Sequence, residues 1–338
     1  MYYANIPTFL KCQPDVPQNA DIGIVGVPYS GGNWVERTQY LAPRAVRDFS
    51  MGFHRSHRAF KINPFELCRI CDLGDANIGN VLDPNKAVID IQKFYEVIAQ
   101  SGTVPVSIGG DHSITLPILR AIAGVNSRHK GPVGVIHLDA HVDAYGTVAG
   151  IKEHCGSMFL LALEEGLIDA KRTIQIGIRG AMGDLRQDDW AHDAGYRIIE
   201  IDEFNDIGVD SVIAEARRIA SDGKPTYFSW DLDVLDPAYA PAVADPETGG
   251  ISINEALRFI RGLRGINIIG ADIVCFAPHL HTTRITALNA SSILHEIVTI
   301  IADRISKNNP KNSPGLNKLV FSVFTSYVIC SIIQSLNL

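Results

Sequence analysis

The sequence predicts an α/β protein built on a parallel sheet with helices on both faces, and three observations carry that reading. Apolar runs of strand length alternate with segments of helical period through most of the chain. The strand runs are apolar throughout rather than alternating, as strands buried on both faces are, and parallel strands need long crossovers that helices supply. The 338 residues are 46% hydrophobic, enough for a sizeable core.

The elements follow in order. IGIVGVP (22–28) reads as a buried strand and APRAVRDFS (42–50) as the helix after it; VPVSIGG (104–110) and SITLPILRAIAG (113–124) repeat the pair, as do VGVIHLDA (133–140) and SMFLLALEEG (157–166). TIQIGIRG, YRIIEID, PTYFSWDLD and INIIGADIV read as further strands. DSVIAEARRIASDG, INEALRFIRGLRG and ITALNASSILHEIVTIIADRI read as helices. One domain is expected over residues 1–306, then a polar, proline-containing linker at 307–318. The tail at 319–338 carries no charged side chain; Ser, Thr, Gln and Asn recur in it, which favours packing on the body or a neighbouring subunit over a membrane anchor.

Lys+Arg 30 against Asp+Glu 37 gives a net charge of −7, the wrong sign for a nucleic-acid partner. Cysteines at 12, 68, 71, 155, 275 and 330 lack the regular spacing of a disulfide scaffold. Cys68 and Cys71 form a lone CxxC, read as part of a strand rather than as a redox or zinc site. No secretory signal is visible at the start, so the cytoplasm is the expected compartment, with no membrane partner.

Three of the strands end in acids and histidines, where open α/β sheets bind ligands. VPVSIGGDHS ends in Asp111 and His112, VGVIHLDAHVDAY in Asp139, His141 and Asp143, and YFSWDLDVLDP in Asp231, Asp233 and Asp236. Side chains at i, i+2 and i+4 share one face of an extended chain. If the ends converge, five of these carboxylates, Asp111, Asp139, Asp143, Asp231 and Asp233, meet in one pocket with His112 and His141. Two divalent cations would leave about minus one there and a single cation about minus three, so two are favoured. Carboxylate and imidazole ligands without thiolate suit Mn²⁺, with Ni²⁺, Co²⁺ or Zn²⁺ as alternatives. Such a pair lowers the pKa of a shared water, supplying a bridging hydroxide as a nucleophile.

GGDHS at 109–113, DAHVD at 139–143 and SWDLDVLDPAYAP at 229–241 resemble the signature segments of the ureohydrolases, which include agmatinase and arginase. SGG at 30–32, APRAVR at 42–47 and ITAL at 285–288 extend the resemblance over about residues 20–305. It implies a three-layer αβα sandwich, a binuclear manganese or nickel site, and trimers or hexamers, homo- or hetero-oligomeric. By match, His112 and Asp143 would bind one ion, His141 and Asp233 the other, and Asp139 and Asp231 both. Asp111 would orient His112, His137 would be a buried structural histidine, and His154 in KEHCGSMF would carry a proton to the leaving amine.

The match breaks at the substrate. The glutamate that holds the guanidinium in agmatinases and arginases is Cys275 here, and a thiol offers neither charge nor paired acceptors. In APAVADPETGG, Asp245 stands where the family has a GTGTP segment, a replacement anion. Trp34 and Tyr40 in the loop before APR offer aromatic faces to an alkylated or delocalised cation. The expected activity is therefore metal-dependent hydrolysis of a C–N bond in a guanidine-type substrate: an agmatine-like compound, a small or N-alkylated guanidine, or a biguanide such as metformin. The alternative is a weakly active or non-catalytic subunit that partners an active paralogue. A single-zinc deacetylase-like site is disfavoured by the full set of six ligands.

Overall fold

The computed structural model describes residues 6–220 and 223–308. In chain order the strands are β1 (Gln13–Pro14), β2 (Ile22–Gly26), β3 (Ile70–Asp75), β4 (Val104–Ile108), β5 (Val133–Leu138), β6 (Ile168–Ile178), β7 (Arg197–Glu200), β8 (Thr226–Asp231) and β9 (Ile268–Val274). The helices are α1 (Ala42–Ser50), α2 (Pro64–Leu67), α3 (Pro84–Ser101), α4 (Thr115–Ala123), α5 (Met158–Glu164), α6 (Asp189–Ala194), α7 (Ile201–Ala220), α8 (Ile253–Gly262) and α9 (Ile285–Asn308). The strands form one sheet in the order β1-β3-β2-β4-β9-β8-β5-β6-β7, and every pairing is parallel.

This is the expected fold class: β2, β5, β8 and β9 are buried at every position, and two separate apolar clusters lie against the sheet. Helices α1, α7, α8 and α9 contribute to one cluster, and α3, α4 and α5 to the other, which makes the three layers. Arg47 on α1 reaches Asp72 on β3 with two guanidinium nitrogens, at 2.9 and 2.8 Å, and so ties a helix layer to the sheet.

Several boundaries differ from expectation for local reasons. Helix α3 occupies a stretch to which apolar periodicity assigns no element. Its Asp83 side chain accepts from the Lys86 N–H, Pro84 opens the first turn, and Gly102 at φ 81 closes the helix. Helix α7 begins at Ile201 rather than near Asp210, because its two parts join through Gly208 at φ 76. Helix α9 runs to Asn308, taking two residues from the expected linker, and Lys307 donates to Asp303 one turn back at 2.7 Å. It has the length and hydropathy to cross a membrane, but 78% of its most apolar stretch is buried inside the domain. The expected tail at 319–338 lies outside the described residues. Cys71 pairs in register with Gly23 of β2, as the strand reading of the CxxC requires, and Cys68 just before it is a free thiol like Cys71.

A candidate metal centre at the carboxyl ends of four central strands

Strands β4, β9, β8 and β5 are consecutive in the sheet. Their register sets the site: Leu138 pairs with Trp230, so Asp139 and Asp231 leave the sheet side by side, and Asp231 pairs with Val274, so Cys275 follows directly. The chain after β4 can turn there only because residue 110 is glycine. A Cβ at Gly110 would lie 1.5 Å from the Tyr29 carbonyl oxygen. The next residue, Asp111, caps the short turn His112–Ile114 through the Ser113 N–H.

Three aspartates of the cluster are each anchored through one oxygen to a backbone N–H. Asp139 Oδ1 accepts from the His141 N–H at 2.6 Å, Asp231 Oδ1 from the Asp233 N–H at 2.9 Å, and Asp233 Oδ1 from the Ala140 N–H at 2.9 Å. His112 Nδ1 then faces Asp139 Oδ2 at 3.1 Å, Asp143 Oδ2 at 3.0 Å and Asp231 Oδ2 at 3.2 Å. His141 Nδ1 lies 3.3 Å from Asp139 Oδ1 and 3.1 Å from Asp233 Oδ2. The six expected ligands are thus together, with Asp139 facing both imidazoles. Asp143 takes a left-handed backbone conformation, φ 49, to join them.

The electrostatics state the problem that cations would solve. Burial and the neighbouring Asp233 and Asp139 charges push the Asp231 carboxyl well above its ordinary range. Burial and Asp139 push Asp143 up to about 7 and Asp233 up to about 6. Asp139 is the exception: burial would raise it, but the imidazoles of His137, His112 and His141 around it hold it well below. His112 and His141 are raised against the effect of burial by the aspartates around them.

The fit to a metal is tested by one atom. His112 is 1% exposed and its Nε2 donates to Ser229 Oγ at 2.8 Å. That leaves Nδ1 buried, without a hydrogen-bond partner, and facing three carboxylate oxygens. A ring nitrogen set among three anions is a position where a metal cation can replace a proton, and oxygen and imidazole donors fit a divalent transition ion.

The other expected site residues fall in different places. Asp111 does not touch the His112 ring: Oδ2 accepts from the Gly32 and Asn33 N–H groups at 2.8 and 3.0 Å, and Oδ1 from the Ser113 N–H and hydroxyl. It acts on His112 through the backbone turn, and with its charge compensated there, the count at the centre is four carboxylates rather than five. Two divalent ions would balance those four to about zero. His137 is buried, as expected, and its Nε2 donates to Asp139 Oδ2 at 2.8 Å while Nδ1 accepts from Gln175. His154 lies outside the ligand groups. Its Nδ1 accepts from the Gly156 N–H, its Nε2 donates to the Gly146 carbonyl at 2.9 Å, and burial lowers its pKa, keeping the ring neutral.

Around the mouth, the Trp34 ring, 53% exposed, meets His154 edge-on at 5.0 Å. Tyr40 is 47% exposed, held by its N–H to Ser30 Oγ at 2.7 Å. Asp245 is half-buried and accepts from Asn33 Nδ2 at 3.0 Å, so it is partly engaged by the protein itself. Cys275, expected to face the substrate, is instead grouped with His112 and Asp231, their donor atoms all within 4.8 Å of one another. Its short side chain, on a buried residue directly after β9, keeps the sulfur low among the ligands.

Sequence reasoning misses Ser229 and Asp272, which orient His112. Ser229 Oγ donates to Asp272 Oδ1 at 2.7 Å, and Asp272 Oδ2 accepts from Thr115 and Tyr227 at 2.7 and 2.6 Å. The one signal along the chain is an aspartate in the middle of the apolar strand INIIGADIV. Asp272→Asn should weaken metal binding about 10–100-fold, the usual cost of disturbing a ligand's support. Titration against a competing chelator measures this, and unchanged affinity would exclude the relay.

Residues 20–299 match the arginase family. Guanidinopropionase of Pseudomonas aeruginosa is 38% identical over 308 residues, covering 90% of this chain and 95% of that protein. The human mitochondrial guanidino acid hydrolase is 36% identical, covering 83% of this chain and 78% of its own length. Among solved structures, proclavaminate amidino hydrolase from Streptomyces clavuligerus superposes with a TM-score of 0.84 at 33% identity, covering 90% of this chain and 99% of that one. With a family match from 20 to 299 and identity sustained along nearly all of both chains, this protein belongs to the arginase family.

Proposed function

We propose that this chain is a hydrolase that uses two divalent cations to cleave a C–N bond of a small guanidino compound. The observation that supports this best is the buried His112 Nδ1 facing three carboxylates at the sheet's carboxyl edge. The relatives' names supply the group: guanidinopropionase, guanidino acid hydrolase and proclavaminate amidino hydrolase share a guanidino or amidino substrate.

His112 and Asp143 would hold one ion, His141 and Asp233 the other, with Asp139 and Asp231 between them. Bound there, the ions would supply Lewis acidity and bring the pKa of a shared water toward neutrality. His154 carries its proton on Nε2, against the Gly146 carbonyl. Freed from that contact and first protonated by solvent, the ring as an imidazolium would deliver a proton to the departing amine, which leaves well only when protonated, and return to its neutral form. Asp245 at the mouth supplies an anion and Trp34 an exposed aromatic face for the cationic part of the substrate.

With Cys275 low in the site, no carboxylate clamps the guanidinium from that position, and a charge-assisted contact contributes about 1.5–3 kcal/mol. Cys275→Glu, which restores the carboxylate, should therefore raise agmatine turnover roughly 10–100-fold. Mn²⁺- or Ni²⁺-loaded protein is to be assayed for urea or ammonia release from guanidine, N-alkylguanidines, guanidino acids, a biguanide and agmatine. Agmatine as the fastest substrate would end the altered-pocket reading. A protein that holds two ions and hydrolyses none of them, yet stimulates a paralogue, would replace it with the accessory-subunit reading.

A further inference from the structure

We propose that Cys275 is a metal ligand, donating its sulfur to the ion held by His112 and Asp231 and biasing that position toward Ni²⁺, Co²⁺ or Zn²⁺ over Mn²⁺. This rests on the reading that the cluster holds divalent ions.

Two independent observations converge. The Cys275 sulfur, a His112 ring nitrogen and an Asp231 oxygen lie within 4.8 Å of one another, all on buried residues. Donors on one ion, each at about 2.0–2.3 Å, lie within about 4–4.6 Å of one another, so the 4.8 Å that bounds this group leaves only a few tenths of an ångström for the side chains to close around a shared centre. Separately, His112 Nδ1 is buried and unpartnered among the carboxylates. The backbone holds the cysteine there: its N–H donates to the Gly110 carbonyl at 2.9 Å, and Val274 pairs in register with Asp231. Cys275 also adopts φ 66, a strained conformation for a residue with a side chain.

The chemistry is simple ligand exchange. The S–H proton passes to solvent, a sulfur–metal bond forms and a water leaves the ion, with no oxidant or reductant involved. Thiolate is a soft donor, so its presence moves an oxygen- and imidazole-lined site away from Mn²⁺ and toward the later ions of the first-row series. Cys155, the other cysteine after these central strands, belongs to none of the donor groups among the described residues and serves as the control.

The test uses the full-length protein, stripped and reloaded with Co²⁺ or Zn²⁺. Ion counting checks the underlying reading and should give two per chain. The Co²⁺ form should show a near-ultraviolet sulfur-to-metal charge-transfer band that Cys275→Ser removes and Cys155→Ser retains. X-ray absorption of the Zn²⁺ form should show a sulfur neighbour at about 2.3 Å beside the oxygen and nitrogen shell. In competition, Cys275→Ser should shift the Zn²⁺ over Mn²⁺ preference by at least the roughly tenfold that a supporting contact contributes. Two bound ions with no sulfur neighbour would overturn the proposal while leaving the metal reading intact, and no bound ions would overturn both. The absorption result on the unmodified protein decides the matter even if Cys275→Ser fails to fold.

Discussion

Asp231→Asn is expected to abolish retained metal and turnover while making the metal-free protein harder to unfold. Asp231 is 2% exposed and sits beside Asp139 and Asp233, whose charges and whose shared burial push its carboxyl well above the ordinary range. In the absence of cations its ionisation at neutral pH therefore opposes folding, and the neutral amide removes that cost. With cations the sign reverses, because the substitution deletes an oxygen donor next to His112. Loss of activity should exceed the roughly 10–100-fold that follows damage to a ligand's support. Melting temperatures with chelator and with metal separate the two effects: the variant should melt higher than the parent with chelator and gain nothing from metal. A variant that keeps two ions and the parent's metal-induced shift would remove Asp231 from the ligand set.

The metal-free protein should lose stability as pH rises from about 5 to about 8, and added metal should reverse the trend. In an unfolded chain carboxylates titrate near 4 and histidines near 6.5. In the folded chain Asp143 is up to about 7, Asp233 up to about 6, and Asp231, His112 and His141 are raised as well. The native state thus holds more protons than the unfolded state, and stability present at low pH drains away as these groups titrate. Asp139 runs the other way, held well below its ordinary value, but its contribution is already complete above about pH 5. The buried histidines His129, His137, His154 and His295, lowered by burial, also oppose the trend below about pH 6.5, and are outnumbered once the raised Asp111 and Asp188 join the groups above. Each surplus proton is worth about 1.4 kcal/mol per pH unit. Metal competes with those protons, so the metal-induced stabilisation should widen with pH. Denaturant unfolding at both ends of the range measures it, and a metal-free protein more stable at the alkaline end would contradict the burial of uncompensated carboxylates.

How much of the molecule is legible in its sequence depends on the kind of interaction. The parallel sheet is readable because strands buried on both faces are apolar at every position, as IGIVGV and VGVI are. The ligands are readable because charge closing such a run is costly to bury and so points to a compensating partner. Helix α3 carries its own signals in Asp83, Pro84 and Gly102, which capping chemistry reveals and apolar periodicity alone passes over. Asp111 and Asp272 are a different matter. Both are acids near a histidine ligand, and spacing alone assigns the orienting role to the one adjacent in sequence. Only the register of β8 against β9 brings Asp272 to Ser229, and only the fold of the 30–33 loop takes Asp111 away. Cys275 stands out in the sequence, but whether its sulfur faces substrate or ligands depends on side-chain length and depth, which no pattern along the chain encodes.

The placement of all six ligands at the ends of β4, β5 and β8, in the middle of a nine-stranded sheet, has a consequence for how the protein holds together in time. His112 and Asp231 are far apart in the chain and meet only after β9 has been inserted between their strands, so no partial structure short of the assembled centre offers the whole set. Cations can therefore reward only the finished fold and cannot template an early one. The peripheral strands β1 and β7 can open and close without disturbing a single donor. Hydrogen exchange should then slow on metal loading for the amides of the four central strands, which open only with the whole domain, and stay unchanged at the two edges. The centre would act as a lock on global unfolding that leaves local breathing free.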